Sequence, residues 1–271
     1  MHRAFPRGGS LVPSIPRPTF LEFFAGAGMA RLGLGPRWRC LLANDISDKK
    51  AAAYLANFPG SRAHFQLGDV AGVDLDARGI GDVDLAWASF PCQDLSLAGG
   101  RCGLAGKRSG AFWSFWDVAT RGGQRPRLVV LENVVGLVTS HGGADLEALV
   151  ATLAEAGYSC GPMVVDAALF VPQSRPRLFL VAVHDSAGAG PGAALAGPVD
   201  PWHPASLRRA FDRLPGRLRA RWVWWALPTP TPRATMLADV LEPEPDARLW
   251  HSAAQTAHIL ALMSDANRAK L

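Results

Sequence analysis

Hydrophobic positions in this chain fall in short runs broken by Gly- and Pro-containing turns, and the lengths and spacing of those runs set the elements. Thr19-Phe20-Leu21-Glu22-Phe23-Phe24 reads as a strand, Ala25 to Gly28 as a glycine turn, and Met29 to Leu34 as a short helix. Arg39-Cys40-Leu41-Leu42-Ala43 follows as a second strand, completing a βαβ opening, and a helix fits Lys49 to Ala56. Further apolar strands, Val83 to Ser89, Leu128 to Leu131 and Leu178 to Val183, alternate with helical stretches near Gly110 to Thr120 and Ala144 to Ala156. Near-continuous apolar strands belong to sheets covered on both faces. The alternation therefore predicts an α/β fold built on a doubly wound, mostly parallel sheet.

Punctuation in the chain divides it further. Residues 1–18 carry Gly8-Gly9, Pro13, Pro16 and Pro18 without apolar periodicity, and are expected to be a disordered leader. A folded domain is expected over 19–185, then a Gly/Ala/Pro-rich spacer over 186–200. Residues 201–271 form a separate C-terminal segment with a basic stretch, Arg208 to Arg221, interrupted at Pro215-Gly216. An aromatic run, Trp222-Val223-Trp224-Trp225, and a proline cluster, Pro228 to Pro232, come next. Arginine beside aromatics suits nucleic acid. The same pattern suits a helix with a solvated arginine face leading into a core anchor, which is the favoured reading.

Composition narrows the class of function. With 271 residues, 49% of them hydrophobic, there is material for one large domain, while no apolar run is long enough to cross a bilayer. The N-terminus lacks the pattern of a signal peptide, so a soluble, cytoplasmic protein with no membrane partner is expected. Cys40, Cys92, Cys102 and Cys160 are far apart and the seven histidines form no ligand cluster, so no metal is expected. A net charge of +5 is compatible with a nucleic-acid partner. Only four of the 28 basic residues are lysines, a bias that reads as genomic base composition rather than recognition chemistry.

Candidate chemistry gathers where the strands end. Ser89-Phe90-Pro91-Cys92-Gln93 sets one cysteine after a proline at the end of an apolar strand, which delivers a thiol to the sheet edge where α/β folds bind ligands. A buried, inert cysteine is the bland alternative. Gly26, Gly28 and Gly33 follow the first strand, where backbone N–H groups can approach a ligand closely. Asp45 ends the second strand, as an acid that hydrogen-bonds ribose hydroxyls does. The third dinucleotide glycine is missing from its usual place, so a nucleoside without a pyrophosphate is the better ligand. Asp69 sits where a third strand should end, within reach of an adenine amino group. Glu132 follows the strand ending at Leu131, giving a carboxyl group on the same edge as Cys92 and a division into acid and nucleophile. Arg175 and Arg177, two apart before the last strong strand, face one side and suit an anion or carbonyl oxygen.

Taken in order, Phe24-Ala25-Gly26-Ala27-Gly28, Pro91-Cys92-Gln93, Glu132-Asn133-Val134 and Gln173-x-Arg175-x-Arg177 closely resemble the cytosine-C5 DNA methyltransferases. The likeness runs roughly from Thr19 to His184, with a looser one at Ala238-Asp239-Val240-Leu241-Glu242. It implies a Rossmann-like methyltransferase fold, S-adenosylmethionine as cofactor and double-stranded DNA as partner, in restriction-modification or epigenetic marking. On that resemblance Cys92 adds to cytosine C6, Glu132 contacts N3 and the exocyclic amine, Arg175 contacts the base carbonyl, and Arg177 supports the loop or a phosphate. Phe24, Ala25, Gly26, Gly28 and Pro91 line the cofactor, Asp45 holds its ribose, and Ile46 and Asp69 its adenine. The segment from Gln93 to Gly110 resembles the loop that closes over a flipped-out base.

Two alternatives stand beside this: a transfer-RNA cytosine methyltransferase, which shares these motifs, and an inactive remnant that binds cofactor or DNA without turnover. Family members carry a further target-recognition region, an arginine-containing motif and a Gly-Asn-rich segment, none found before Leu271. The expectation is a fragment, a truncated gene, or the catalytic half of a split enzyme whose second polypeptide supplies the rest.

Overall fold

A computed structural model of the chain describes residues 16–91, 110–188, 194–244, 246 and 250–269. Strand β1 (Thr19–Phe23) leads through a glycine turn into α1 (Met29–Leu34), β2 (Arg39–Asp45), α2 (Asp48–Asn57), β3 (Phe65–Leu67) and β4 (Leu85–Ala88). Then follow α3 (Ala111–Thr120), β5 (Leu128–Val134), α4 (Ala144–Glu155), β6 (Tyr158–Asp166) and β7 (Pro176–His184). A short pair, β8 (Ala194–Leu195) and β9 (Trp224–Trp225), brackets α5 (Ala205–Arg213) and α6 (Gly216–Arg219).

Seven strands form one sheet in the order β3-β2-β1-β4-β5-β7-β6. The first five are parallel, and β7 runs antiparallel to both β5 and β6. Chain order reverses between β1 and β4, so the crevice beyond their carboxyl ends is where such a sheet binds ligands. Helix α3 buries Phe112, Trp113, Phe115, Trp116 and Val118 in the main core.

Three expectations are corrected. The strand expected to stop at Leu131 continues to Val134 because Glu132, Asn133 and Val134 pair with Phe179, Leu178 and Arg177 of β7, so Glu132 lies within the strand. Strand β6 was not expected at all: Gly161-Pro162 interrupts its pattern. Proline is tolerated because β6 ends the sheet, where a missing ladder N–H costs little. The boundary at 185 does not match the packing. Leu207, Ala210, Leu214, Leu218, Trp222 and Trp224 join the sheet's core, and Cys160 N–H donates to Arg221 O at 2.9 Å while Val223 N–H donates to Cys160 O at 2.9 Å.

Residues 205–225 therefore belong to the sheet domain, with the arginine face turned outward: Arg208 pairs with Asp200 at 2.7 Å and Arg221 with Asp185 at 2.6 Å. Beyond Trp225 none of the described residues is buried, and α7 (Ala253–Ala261) and α8 (Asp265–Arg268) stand free of the core. No helix among the described residues is long and apolar enough to cross a membrane.

Candidate active site

The turn after β1 is built from unusual backbone. Phe24 (φ 56°), Gly26 (φ 57°) and Gly28 (φ 85°) all lie in the left-handed region, which costs an L side chain and favours glycine. Ala25 N–H donates to Asn44 O at 2.9 Å and Gly28 N–H to Ala25 O at 2.8 Å, closing the turn against β2.

The two glycines are needed for different reasons. A Cβ at Gly28 would fall on the Phe58 ring and 2.9 Å from Tyr54 Cε2, so this glycine admits α2 rather than a ligand. A Cβ at Gly26 would meet nothing within 4 Å, because Gly26 faces a cavity.

That cavity, about 740 Å³, spans the crevice between the glycine turn and β7. Phe24, Ala25 and Gly26 line one side, Glu132, Arg175 and Arg177 the other, and Trp87 and Phe179 meet edge to face between them with centroids 6.1 Å apart. Arg177 Nε lies 3.1 Å from Glu132 Oε1, so Arg177 grips the carboxylate itself, where the resemblance implied contact with a loop or phosphate. Arg175 is presented by the β6–β7 turn: Asp166 accepts from Ala168 N–H at 3.0 Å, Arg175 N–H at 2.7 Å and Ser174 Oγ at 3.2 Å. Those donors, the Ala168 and Arg175 amides foremost, hold the Asp166 carboxyl below its usual range.

Other expected residues stand apart from this cavity. Asp45 is 2% exposed and accepts from Gly26 N–H at 2.9 Å and Ser47 N–H at 3.0 Å, with Lys50 Nζ at 3.7 Å. It fastens the glycine turn to β2. Ile46 is exposed just beyond it, and Asp69 caps its own turn by accepting from Ala71 N–H at 2.9 Å. Gly28 and Pro91 do not line the cavity either. Cys92, Cys102 and the segment from Gln93 to residue 109 lie outside the described residues.

Two residues were not singled out from the sequence. Asn133, 5% exposed, donates through Nδ2 to Phe90 O at 3.0 Å and accepts Val134 N–H at 2.8 Å, tying β5 to the peptide that precedes Pro91-Cys92. It stood inside the quoted Glu132-Asn133-Val134 motif, but its partner is 43 positions away. Glu22, 1% exposed, lines the cavity from β1 beside its register partner Trp87. Burial pushes its carboxyl up to about 7, against weaker opposing pulls from the Arg31 amide, the Arg31 charge and Tyr54. An acid inside a strand is the available signal, and strand alternation alone does not say what faces it.

Known proteins share these features. A family model described as C-5 cytosine-specific DNA methylase matches residues 18–196. The type II methyltransferase M.BsuFI of Bacillus subtilis is 33% identical over 172 residues, covering 63% of this chain and 40% of that protein. M.HpaII of Haemophilus parainfluenzae is 32% identical over 174 residues, covering 63% and 47%. This chain thus spans under half the length of these relatives. The solved structure of the Entamoeba histolytica methyltransferase EhMeth aligns at a TM-score of 0.51 and 16% identity over 67% of this chain and 56% of that one, a likeness of fold.

Proposed function

The chain belongs to the C-5 cytosine-specific DNA methylases, and from that membership we propose that it carries the catalytic machinery for transferring a methyl group from S-adenosylmethionine to C5 of a cytosine in duplex DNA. The observation that carries the reading is the pairing of Arg177 with Glu132 at 3.1 Å across one cavity from the glycine turn. A cavity of about 740 Å³ is in the range of small-molecule sites, and the bare Cα of Gly26 leaves its near wall open to a nucleoside ligand.

In this reading S-adenosylmethionine supplies an electrophilic methyl group when bound. Phe24, Ala25 and Gly26 hold its near side, and Asp45 reaches its ribose once it exchanges a backbone partner for a hydroxyl. Ile46 and Asp69 stand at the adenine end and Pro91 at the rim. The Cys92 thiolate adds to cytosine C6, which raises electron density at C5. After the methyl group reaches C5, loss of the C5 proton re-forms the ring double bond and expels the thiolate. Glu132, fixed by Arg177, holds the proton at N3 and accepts from the exocyclic amine, and Arg175 faces the base carbonyl. Asn133 sets the Phe90 carbonyl, and through it the start of the Cys92 segment. Since C5 and C6 are stacked inside a duplex, the cytosine must swing out. The setting is a cytoplasmic DNA-modification role, such as restriction-modification.

The test is duplex DNA carrying 5-fluorocytosine, incubated with the chain and S-adenosylmethionine. Fluorine at C5 blocks the last elimination, so a covalent adduct through Cys92 is expected, absent from Cys92→Ala. An adduct that persists in Cys92→Ala overturns the nucleophile. Methylation of transfer RNA but not duplex DNA moves the substrate to RNA, and cofactor binding without any transfer leaves a binding module.

A further inference from the structure

Glu22 differs from other buried acids in this fold. Asp45 accepts two backbone N–H groups at 2.9 and 3.0 Å, and Asp145 is paired with His141 at 2.9 Å. Glu22 has only two long contacts, from Arg31 N–H at 3.4 Å and from Tyr54 Oη at 3.5 Å. The nearby Arg31 guanidinium is directed elsewhere: Nη1 reaches Tyr54 Oη at 3.1 Å, Ser61 Oγ at 2.6 Å and His64 Nε2 at 2.9 Å, and the group lies 4.3 Å from the Phe58 ring centroid. The result is a carboxyl group on a cavity wall, shielded from water and without a close ionic partner, which is costly unless a cation completes it.

We propose, resting on the S-adenosylmethionine reading above, that Glu22 binds the α-ammonium group of the cofactor's amino-acid end. Its position suits this. Glu22 lies two residues before Phe24, and Met29 and Ala30 of α1 line the cavity beside it. The cofactor offers two cationic groups, but only the ammonium carries N–H donors for the carboxylate oxygens; a sulfonium has none. Binding then replaces the proton of Glu22 with the ammonium and releases that proton to solvent.

The groups around Glu22 leave it as the one that titrates near neutrality. Cys40 from β2 is pushed up to about 11 by burial, and Tyr54 from α2 is raised for the same reason. His64, in contact with Arg31, is lowered by burial and by that charge. Arg31 from α1 stays cationic throughout.

Calorimetry on the full chain separates the outcomes. From a carboxyl at about 7 and an α-amino group at its ordinary 7.7–8.0, S-adenosylhomocysteine should bind about fivefold more tightly at pH 7.5 than at pH 6. Methylthioadenosine, which lacks the amino-acid end, should show no such slope, a comparison that needs no variant. Glu22→Gln should bind S-adenosylhomocysteine about ten- to a hundredfold more weakly at pH 7.5, with the slope gone. The proposal is overturned if the slope survives in Glu22→Gln or appears equally with methylthioadenosine. Dependence seen with S-adenosylmethionine but not S-adenosylhomocysteine would assign the charge to the sulfonium and overturn the ammonium contact. If none of the three ligands binds the wild-type chain, the cofactor reading itself fails, and the proposal with it.

Discussion

Replacing Gly28 and Gly26 separately by alanine tests whether one turn holds a packing glycine and a binding glycine. Both sit at positive φ, 85° and 57°, so each substitution carries about 1–2 kcal/mol of backbone strain. At Gly28 the new methyl group also strikes Phe58 and Tyr54, and neither ring gives way freely. Tyr54 is fully buried and held by Arg31 at 3.1 Å, and Phe58 lies beneath the same guanidinium. Overpacking of that kind adds about 1–3 kcal/mol. Gly28→Ala should therefore destabilise the fold by about 2–5 kcal/mol, a large part of the 5–15 kcal/mol ordinary for a domain. Gly26→Ala has only the strain, about 1–2 kcal/mol.

Urea unfolding followed by tryptophan fluorescence measures both, read as a shift in midpoint at unchanged slope. Cofactor affinity should move the other way. Gly26→Ala puts a methyl group into the cavity and should weaken S-adenosylhomocysteine binding more than tenfold, while Gly28→Ala, if folded, changes it less. Equal unfolding midpoints for the two variants would refute the packing argument, and undiminished ligand binding by Gly26→Ala would refute its place in the site.

Asn133→Ala leaves the buried Phe90 carbonyl without its 3.0 Å partner and should cost about 1–3 kcal/mol in urea unfolding. Asn133→Asp keeps an acceptor for Val134 N–H but has no donor for Phe90, so it should fail to restore 5-fluorocytosine trapping; rescue by Asp would contradict the positioning role. Glu22 makes stability pH-dependent: its carboxyl rises from 4.5 unfolded to about 7 folded, so its contribution is neutral below pH 4.5 and increasingly destabilising as pH rises through 7. Glu22→Gln should then be more stable than wild type by about 3 kcal/mol at pH 8 and equal to it at pH 4, and a difference of the same size at both pH values would exclude ionisation as the cause. Gly161→Ala drives a Cβ into the Val223 carbonyl and should unpair β6 from residues 221–223, read as early loss of near-ultraviolet dichroism from Trp222 and Trp224. An unaltered melting curve would show that residues 205–225 do not belong to the sheet domain.

The apolar runs determined the alternating strands and helices, because burial on both faces of a parallel sheet is written locally in each strand. Fixed motifs likewise marked Phe24, Ala25, Gly26, Glu132, Arg175 and Arg177, which the fold gathers around one cavity. What the sequence could not determine were relations between distant positions. Strand β6 exists because an edge tolerates Pro162, and β5 reaches Val134 because β7 pairs with it; both depend on neighbours absent from local pattern. Asn133 gained its meaning from a carbonyl 43 residues away, and Asp45 from the Gly26 amide it holds. Gly28 looked like a ligand-side glycine until α2 placed two rings against it. Glu22 read as an ordinary acid in a strand, and only the sheet's packing removed its water and left it facing a cavity. Burial and partner geometry are properties of the whole arrangement, and it is they that turn a residue type into a chemical role.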